Sequence, residues 1–410
     1  MTGRVQRATR ATYLVFAMSG FGFASWASRI PQVKERLGLD PSELGLLLLA
    51  IAAGSVSALP LSGTMVARWG SRRTATVMAL VSTAALLTVA FGYLAGVAPV
   101  AAGLFFFGAS AGVWDVAMNV QGAAVERQLG RSIMSRFHAA WSLGTVTGAL
   151  IGAGAVALHV PVTAHLAVAA LLQGPVVWAA ARGFLPDQAG RADRADRAQA
   201  AGEPAGTSAL TAWREPRTLL IGIVVLAFAF GEGTGNDWIS VSVIENYRAP
   251  ATLGTLAFAV FLAAMTGGRW FGVALLDRWG RVRVNRALAG LAVAGLLLFI
   301  FGPALPAAFG GALLWGAGIS LGFPSGMSAA ADDPALAARR VSVTASIGYT
   351  AFLGGPPLIG FLGDHIEVRH ALICVAALLA LAVVIAGALR PPPGLEGQGT
   401  VPRDTTQRTG

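Results

Sequence analysis

A short basic turn occurs twice in this chain, each time between two long apolar runs. The first copy is Ala67-Arg68-Trp69-Gly70-Ser71-Arg72-Arg73, and the second is Asp277-Arg278-Trp279-Gly280-Arg281-Val282-Arg283. The two copies lie about half of the 410-residue chain apart. A repeat at half the length predicts two similar halves, each with a basic turn after its second apolar helix.

The apolar runs are long enough to cross a lipid bilayer, which takes about 20 residues per helix. The chain is 55% hydrophobic and 12% charged, with a mean hydropathy of +0.65, whereas about 25% of the residues in a soluble domain are charged. We therefore predict an all-α integral membrane protein with about twelve transmembrane helices in two pseudo-symmetric six-helix bundles, and with the lipid bilayer as its surroundings.

Twelve predicted spans, numbered here in chain order, follow from these runs. They cover about residues 11–27, 43–66, 74–94, 97–120, 139–158, 162–182, 217–241, 253–276, 285–301, 307–328, 341–362 and 369–389. The sequence predicts an N-terminal bundle at 1–184, a cytoplasmic linker at 185–214, a C-terminal bundle at 215–390 and a disordered cytoplasmic tail at 391–410. Asp40-Pro41-Ser42-Glu43 predicts the start of the second span, with a capping carboxylate and a proline at the first helical position.

The basic residues are distributed unequally between the two sides of the predicted membrane. Most of the 30 lysines and arginines lie in the termini and in the loops after the even-numbered spans. The opposite loops hold Arg29, Lys34, Arg36, Arg248 and Arg369. This asymmetry predicts a multi-pass protein of the cell (cytoplasmic or inner) membrane with both termini in the cytoplasm and an uncleaved first helix.

The composition also argues against other classes of protein. The net charge of +10 comes from alternate loops and not from a groove-lining patch, so we expect no nucleic-acid partner. Cys374 is the one cysteine, and the five histidines form no cluster with metal-ligand spacing. The chain has no phosphate loop of the form Gly-x-x-x-x-Gly-Lys-(Ser/Thr). We therefore expect no enzyme activity, no metal and no cofactor.

The basic turn resembles the conserved turn of the major facilitator superfamily of transporters, Gly-x-x-x-Asp-(Arg/Lys)-x-Gly-(Arg/Lys)-(Arg/Lys). The first copy begins at Gly63 and matches except that Ala67 stands where the family has aspartate. The second copy keeps Asp277, Arg278, Gly280 and Arg281. The resemblance covers about residues 11–390, and it implies twelve spans and transport by alternating access.

A finer resemblance lies in the fourth and seventh spans. The segment Asp115-Val116-Ala117-Met118-Asn119 is similar to the fourth helix of the fucose-permease-like branch, whose known members are sugar/proton symporters. Glu232-Gly233 and Asp237-Trp238 are also similar to that branch. This sequence departs from the branch late in the first span, where Ala27, Ser28 and Arg29 stand in place of an acidic residue.

Two acidic residues inside predicted spans are candidates for binding substrate or protons. An ionisable group in hydrocarbon costs about 2.5–3.5 kcal/mol on insertion scales, so it usually faces a watery cavity or a partner. Asp115 shares a helix face with Asn119, and Glu232 shares one with Asn236. Asp115 lies toward the inner half of its span and Glu232 toward the outer half. The alternative is that both acids are structural, held by hydrogen bonds between helices.

The tryptophans and one histidine are weaker candidates for the site. Trp114 and Trp141 lie within spans and are candidate cavity residues, with a position at the membrane interface as the alternative. Trp26 and Trp238 lie at the ends of spans, which predicts an interfacial aromatic belt. His138 could titrate near neutral pH, but beside Arg136 we interpret it as a polar residue at the end of a loop.

Charged residues at the inner ends of the helices predict a network that we call the inner gate network. It comprises Arg68, Gly70, Arg72, Glu126, Arg127, Arg269, Asp277, Arg278, Gly280 and Arg281, with Asp332 and Asp333 at the end of the tenth span. In transporters that this chain resembles, such a network holds the cytoplasmic side closed in the outward-facing state. The alternative is that these charges set only the topology.

The sequence thus predicts a secondary active transporter that moves a small solute by alternating access. We expect proton coupling, a polar, sugar-like cargo and a monomeric protein. The alternative is a proton-driven efflux antiporter for amphipathic compounds. The polarity of the central cavity distinguishes the two, because inward-facing Asp115, Asn119 and Glu232 favour polar cargo.

Overall fold

The computed structural model describes residues 3–129, 133–186, 209–333 and 336–392. Within these ranges the chain is helical and has no strand. The helices are α1 (Gly3–Ala27), α2 (Ile30–Leu37), α3 (Pro41–Gly92), α4 (Val97–Leu129), α5 (Met134–Ala157), α6 (Val162–Ala181), α7 (Pro216–Asn246), α8 (Ala251–Phe301), α9 (Leu305–Ile319), α10 (Gly322–Ala330), α11 (Ala337–Ile366), α12 (Val368–Ala371) and α13 (Ile373–Ile385).

Ten helices in the described part of the chain are long and apolar enough to cross a membrane. One of them is α3, whose 52 residues contain the second and third predicted spans. A straight helix of that length is more than twice as long as one crossing requires, because a bilayer core of about 30 Å takes about 20 residues. The helix is not straight, and its bend lies in the basic turn.

The two basic turns have the same backbone geometry. Gly70 bends α3 with φ 80° and ψ 160°, and Gly280 bends α8 with φ 76° and ψ 158°. A positive φ costs glycine little because it has no Cβ atom. The predicted repeat is therefore present in the backbone, with a glycine at the same point of each half.

Local sequence signals explain how other helices begin and break. The Asp40 side chain accepts a hydrogen bond from the Glu43 amide at 2.7 Å, and the Glu43 carboxylate accepts one from the Asp40 amide at 3.0 Å. This capping box confirms the predicted start of the second span. The tenth predicted span is divided into α9 and α10, with a break at Ser320 and Leu321.

The predicted linker and tail lie mostly outside the described residues. Residues 187–208 of the linker and 393–410 of the tail are not among them. The last part of the linker, Ala209–Arg214, forms a short 3-10 helix and is thus not wholly irregular.

Small residues allow the helices to approach closely within and between the bundles. In the N-terminal bundle α1 packs on α5 and α3 packs on α4, and in the C-terminal bundle α7 packs on α11 and α8 packs on α9. The bundles meet where α3 packs on α11 and where α5 packs on α8. A Cβ atom on Gly45 would lie 2.4 Å from the Pro356 carbonyl oxygen, so only glycine fits this contact between bundles.

The bundle has two unlike ends. We call the end that carries Gly70 and Gly280 the basic end, and the other the opposite end. At the opposite end Lys34 forms an ion pair with Glu245, and the Ser42 hydroxyl donates to the Asp364 carboxylate. Among described residues, these are the two side-chain hydrogen bonds that join the bundles. The bundles are therefore fastened together at the opposite end.

Candidate functional site

An ion pair connects α7 and α8 inside the C-terminal bundle. Nη2 of Arg269 lies 2.7 Å from Oε2 of Glu232, and the two side chains are 25% and 14% exposed. The sequence suggests Arg269 as a member of the inner gate network, but the structure places its guanidinium on Glu232. Because both charges are partly removed from water, each group compensates the other.

The break between α9 and α10 supplies a second partner for Arg269. The Arg269 Nε–H donates to the Ser320 carbonyl oxygen at 3.3 Å. Helix termini leave backbone carbonyls without intrahelical partners, and a buried carbonyl needs a donor. Arg269 therefore links the Glu232 carboxylate to the broken helix.

Asp115 and Asn119 form a polar pair on one face of α4. The Asn119 Nδ2 donates to the backbone carbonyl of Asp115 at 2.9 Å and to its Oδ1 at 3.2 Å. The Asp115 side chain is exposed, and it makes no ion pair with any residue in the described ranges. The carboxylate is thus accessible, and its second oxygen can accept a hydrogen bond from a ligand or a proton.

Both polar pairs face the other bundle. Asp115 of α4 lies within electrostatic range of Tyr349, a 41% exposed residue of α11. His138 of α5, which is also exposed, lies within electrostatic range of Arg269. The bundles meet through contacts of α5 with α8 and of α3 with α11. The sequence reading missed Tyr349 and treated His138 as a loop-end residue, since helical spacing does not show which spans meet.

The tryptophans that the sequence suggested have different surroundings in the structure. Trp114 is 1% exposed and packs in the core of the N-terminal bundle, so its ring is a packing element. Trp141 is half-buried and stacks on Phe23 with a ring-centroid distance of 6.4 Å. The predicted interfacial positions of Trp26 and Trp238 are wrong, because both rings are buried inside the protein.

Asn236 lies one turn beyond Glu232 on α7. Its side chain is half-buried, and its Oδ1 atom has no hydrogen-bond partner within the described residues. A buried amide oxygen without a donor is costly, so this position suits a water molecule or a hydroxyl group from cargo.

A buried arginine near the opposite end was not predicted as part of any site. Arg29 is 2% exposed, and its Nε–H donates to Nδ1 of His165 at 2.8 Å. Its Nη2 donates to the Val160 carbonyl oxygen at 3.1 Å. Burial lowers the pKa of Arg29 to about 10, while the nearby Tyr93 acts in the other direction. Arg29 and His165 are 136 positions apart in sequence, so no local pattern indicates the bond.

The predicted inner gate network is dispersed in this conformation. Arg281 binds Asp332 at 2.6 Å, inside the C-terminal bundle. Asp277 is exposed, with no ion pair to the described residues. Asp277 and Arg281 are four positions apart, and such residues share a face only in a continuous helix. The turn at Gly280 lies between them and separates their side chains.

The N-terminal members of the network also have other surroundings. Glu126 accepts hydrogen bonds from the amides of Ile133 and Met134, at 2.6 and 3.0 Å, and so caps the start of α5. The remaining charged members are exposed side chains, namely Arg68, Arg72, Arg127 and Arg278. Whether they assemble in another conformation stays a prediction.

A different charge cluster does form at the basic end of the C-terminal bundle. Asp332 accepts from Arg217 at 2.8 Å as well as from Arg281, and Arg340 Nε donates to Glu215 at 2.8 Å. Burial alone raises the pKa of Glu215, but hydrogen bonds from Arg340 and Thr218 and the nearby arginine charges outweigh it. The net effect is a lowered pKa for Glu215.

Comparison with known proteins agrees with this arrangement of helices. The sequence profile of the Major Facilitator Superfamily matches residues 12–354. An uncharacterized transporter of Sinorhizobium fredii, y4wD, is 33% identical over 92% of this chain and 96% of its own length. An uncharacterized MFS-type transporter of Yersinia pestis is 32% identical over 92% of this chain and 95% of its own.

Solved transporter structures share the fold at low sequence identity. A bacterial homologue of the lysosomal transporter Spinster, in an inward-facing conformation, superposes with a TM-score of 0.74 at 11% identity, covering 95% of this chain and 98% of its own. The nucleoside transporter NupG gives 0.72 at 13% identity, with 95% and 99% covered. A D-xylose-proton symporter gives 0.72 at 14%, with 97% and 100% covered. These structures show the shared fold; the profile match over residues 12–354 and the transporters at 32–33% identity show that the chain is a transporter rather than an enzyme and belongs to the Major Facilitator Superfamily.

Proposed function

We propose that the chain is a proton-coupled secondary transporter of a small polar solute, and that the solute binds between the bundles. The observation that carries this proposal is that each bundle has a pair of polar side chains on the side that faces the other bundle. Asp115 and Asn119 contribute from α4, and Glu232 and Arg269 contribute from α7 and α8. These groups offer both donors and acceptors to a hydroxylated cargo.

The two acids have different surroundings, which suggests different roles. Glu232 forms an ion pair with Arg269, so this acid suits a role in orienting cargo. Asp115 has an amide and a nearby phenol but no cation among its described neighbours. Acids inside membrane spans commonly form proton relays in transporters, and one without a cation as its partner is a candidate for that role. We therefore propose Asp115 as the proton carrier.

The remaining features of the proposal concern topology and assembly. We propose twelve crossings, with the long helices α3 and α8 each crossing twice around Gly70 and Gly280. The basic end faces the cytoplasm of an inner-membrane protein, since basic residues favour that side. In this orientation the bonds Lys34–Glu245 and Ser42–Asp364 close the outer side. We propose that the protein works as a monomer in the bilayer.

The first experiment tests binding with the purified full-length protein in detergent. The probes are D-xylose, uridine and tetraphenylphosphonium, each at about pH 5.5 and about pH 7.5, with the melting temperature as the readout. The sugar and the nucleoside are chosen from the cargo of the structural neighbours. We expect a polar probe to stabilise the wild type and to lose this effect in Asp115→Asn or Glu232→Gln. Glu35→Gln is the control, because Glu35 is an exposed acid outside the site.

A second experiment measures uptake of the stabilising probe into liposomes with an imposed pH gradient. Proton coupling requires that the gradient drives accumulation and that Asp115→Asn abolishes it while exchange of probe continues. Stabilisation by tetraphenylphosphonium alone would instead favour the efflux antiporter for amphipathic compounds. Accumulation that ignores the gradient would rule out proton coupling and leave the binding site intact.

A further inference from the structure

A cavity at the basic end of the N-terminal bundle is separate from the site between the bundles. It has a volume of about 600 Å³ and is lined by Trp69, Arg72, Arg73, Thr76, Val77 and Trp178. A second cavity of about 260 Å³ adjoins it through Arg72, and its lining includes Arg4, Arg7 and Arg182. The two cavities together bring arginines from α1, from the turn at Gly70 and from the end of α6 to one place.

These arginines lack carboxylate partners. No acidic side chain occurs among the described residues that line either cavity, and no ion pair within the described ranges involves these five arginines. The Arg182 guanidinium lies 3.6 Å from the centroid of the Trp178 ring, which orients it without neutralising it. The cluster is therefore a concentrated positive charge that favours an anion.

The position of the cluster indicates what kind of anion it receives. Trp69 and Trp178 are 46% and 47% exposed, as is typical of rings at the boundary between lipid and water. Val77, Leu80 and Leu172 continue the exposed surface of α3 and α6 as large apolar side chains. A ligand at this place has its charge among the arginines and apolar groups against the two helices.

We propose that these cavities bind the phosphodiester headgroup of an anionic phospholipid, with its acyl chains along α3 and α6. Arginine forms paired hydrogen bonds with phosphate oxygens. Clusters of basic residues near a membrane surface attract anionic lipids. The bound lipid holds together α1, the turn at Gly70 and α6. The proposal is independent of the nature of the transported cargo.

The second basic turn provides an internal comparison. Two positions after the glycine, the first turn has Arg72 and the second has Val282. Arg281 of the second turn is already neutralised by Asp332 at 2.6 Å. The repeated turns are alike in backbone but unlike in charge, so we assign the lipid site to the first turn alone.

The test measures the melting temperature of the full-length protein in neutral detergent with added dioleoylphosphatidylglycerol or dioleoylphosphatidylcholine. Binding to the folded state raises stability by mass action, so we expect the anionic lipid to raise the melting temperature by a few degrees more than the neutral lipid does. Arg72→Gln combined with Arg73→Gln should remove at least half of this difference. The matched control combines Arg278→Gln with Arg283→Gln, which removes two exposed charges from the second turn, and it should retain the difference.

Two further arms make the result decisive. Trp178→Leu removes the ring that orients Arg182, and it should also reduce the difference between the two lipids. This variant provides the test if the double arginine variant folds poorly. Inorganic phosphate alone should have no effect at matched phosphate concentration. Equal stabilisation by both lipids, an equal loss in the control variant, or full stabilisation by inorganic phosphate would each overturn the lipid assignment.

Discussion

Nη2 of Arg269 lies 2.7 Å from Oε2 of Glu232, and the same guanidinium contacts the Ser320 carbonyl where α9 ends. One arginine thus joins three helical segments of the C-terminal bundle at membrane depth. In a water-filled setting this pair would contribute little, but both side chains are largely shielded from solvent. Its integrity therefore bears on stability as well as on transport.

Removal of one partner from this pair should destabilise the protein. Arg269→Gln leaves the Glu232 carboxylate without its cation, at an expected cost of about 2 kcal/mol or more. We expect a melting temperature several degrees below that of the wild type in detergent. The double variant Arg269→Gln/Glu232→Gln should recover much of the loss, because no uncompensated charge remains. A double variant as unstable as the sum of the single variants would show that the two groups do not interact.

The ion pair at the opposite end should bias the conformational equilibrium. Glu245→Gln removes the partner of Lys34, and exposed pairs contribute about 0.2–1 kcal/mol. We expect the populations to change by a factor of up to about 5 toward opening at this end. The readout is the rate at which a membrane-impermeant maleimide labels Leu47→Cys in a Cys374→Ser background.

Arg36→Gln is the control for that experiment, since Arg36 is exposed and forms no ion pair with a described residue. If Arg36→Gln raised the labelling rate equally, the effect of Glu245→Gln would be due to surface charge in general and not to the ion pair. No increase with Glu245→Gln would mean that the ion pair does not contribute to closure.

The turn at Gly280 should not tolerate a side chain, although no atom obstructs one. Its φ of 76° costs a residue with a Cβ atom about 1–2 kcal/mol. Gly280→Ala should therefore lower the melting temperature. Gly267→Ala in the same helix α8 also meets no atom within 4 Å, and its φ is not positive. That variant should be neutral or stabilising, and equal effects of the two substitutions would contradict the role of the backbone angle.

Acid should remove the contribution of Glu215 at the basic end. Because the folded-state pKa of Glu215 is lowered, its contribution to stability is complete above the unfolded pKa of about 4.3. It is lost as the pH falls through the lowered folded pKa. The melting temperatures of the wild type and of Glu215→Gln should differ at neutral pH and converge in acid. A difference that stays constant over this range would exclude an ionised Glu215 as its source.

Local patterns in the sequence predicted local structure well. The repeated Arg-Trp-Gly marked both helix bends, and the Asp40–Glu43 spacing marked a helix start. Spacing along α4 likewise placed Asp115 and Asn119 on one face, where they form a hydrogen bond. Each of these relations spans a few residues, so backbone geometry determines them.

Relations between helices could not be predicted in the same way. The bond between Arg29 and His165 depends on how α6 meets the end of α1. The pair Glu232–Arg269 depends on which face of α8 turns toward α7. The burial of Trp26 and Trp238 also follows from neighbouring helices that a single span does not reveal. The sequence suggested several charged residues as candidates for the site, but it did not indicate their partners.

The equal torsions at Gly70 and Gly280 also have a mechanical consequence. Each glycine joins two helical segments, which we call arms, with no loop between them. A tilt of one arm should therefore also move the other. We expect the two arms of α3 to move together as one unit, and likewise the two arms of α8. Because α3 and α8 each pack both on the other bundle and within their own bundle, we expect rocking of the bundles also to displace helices remote from the cargo.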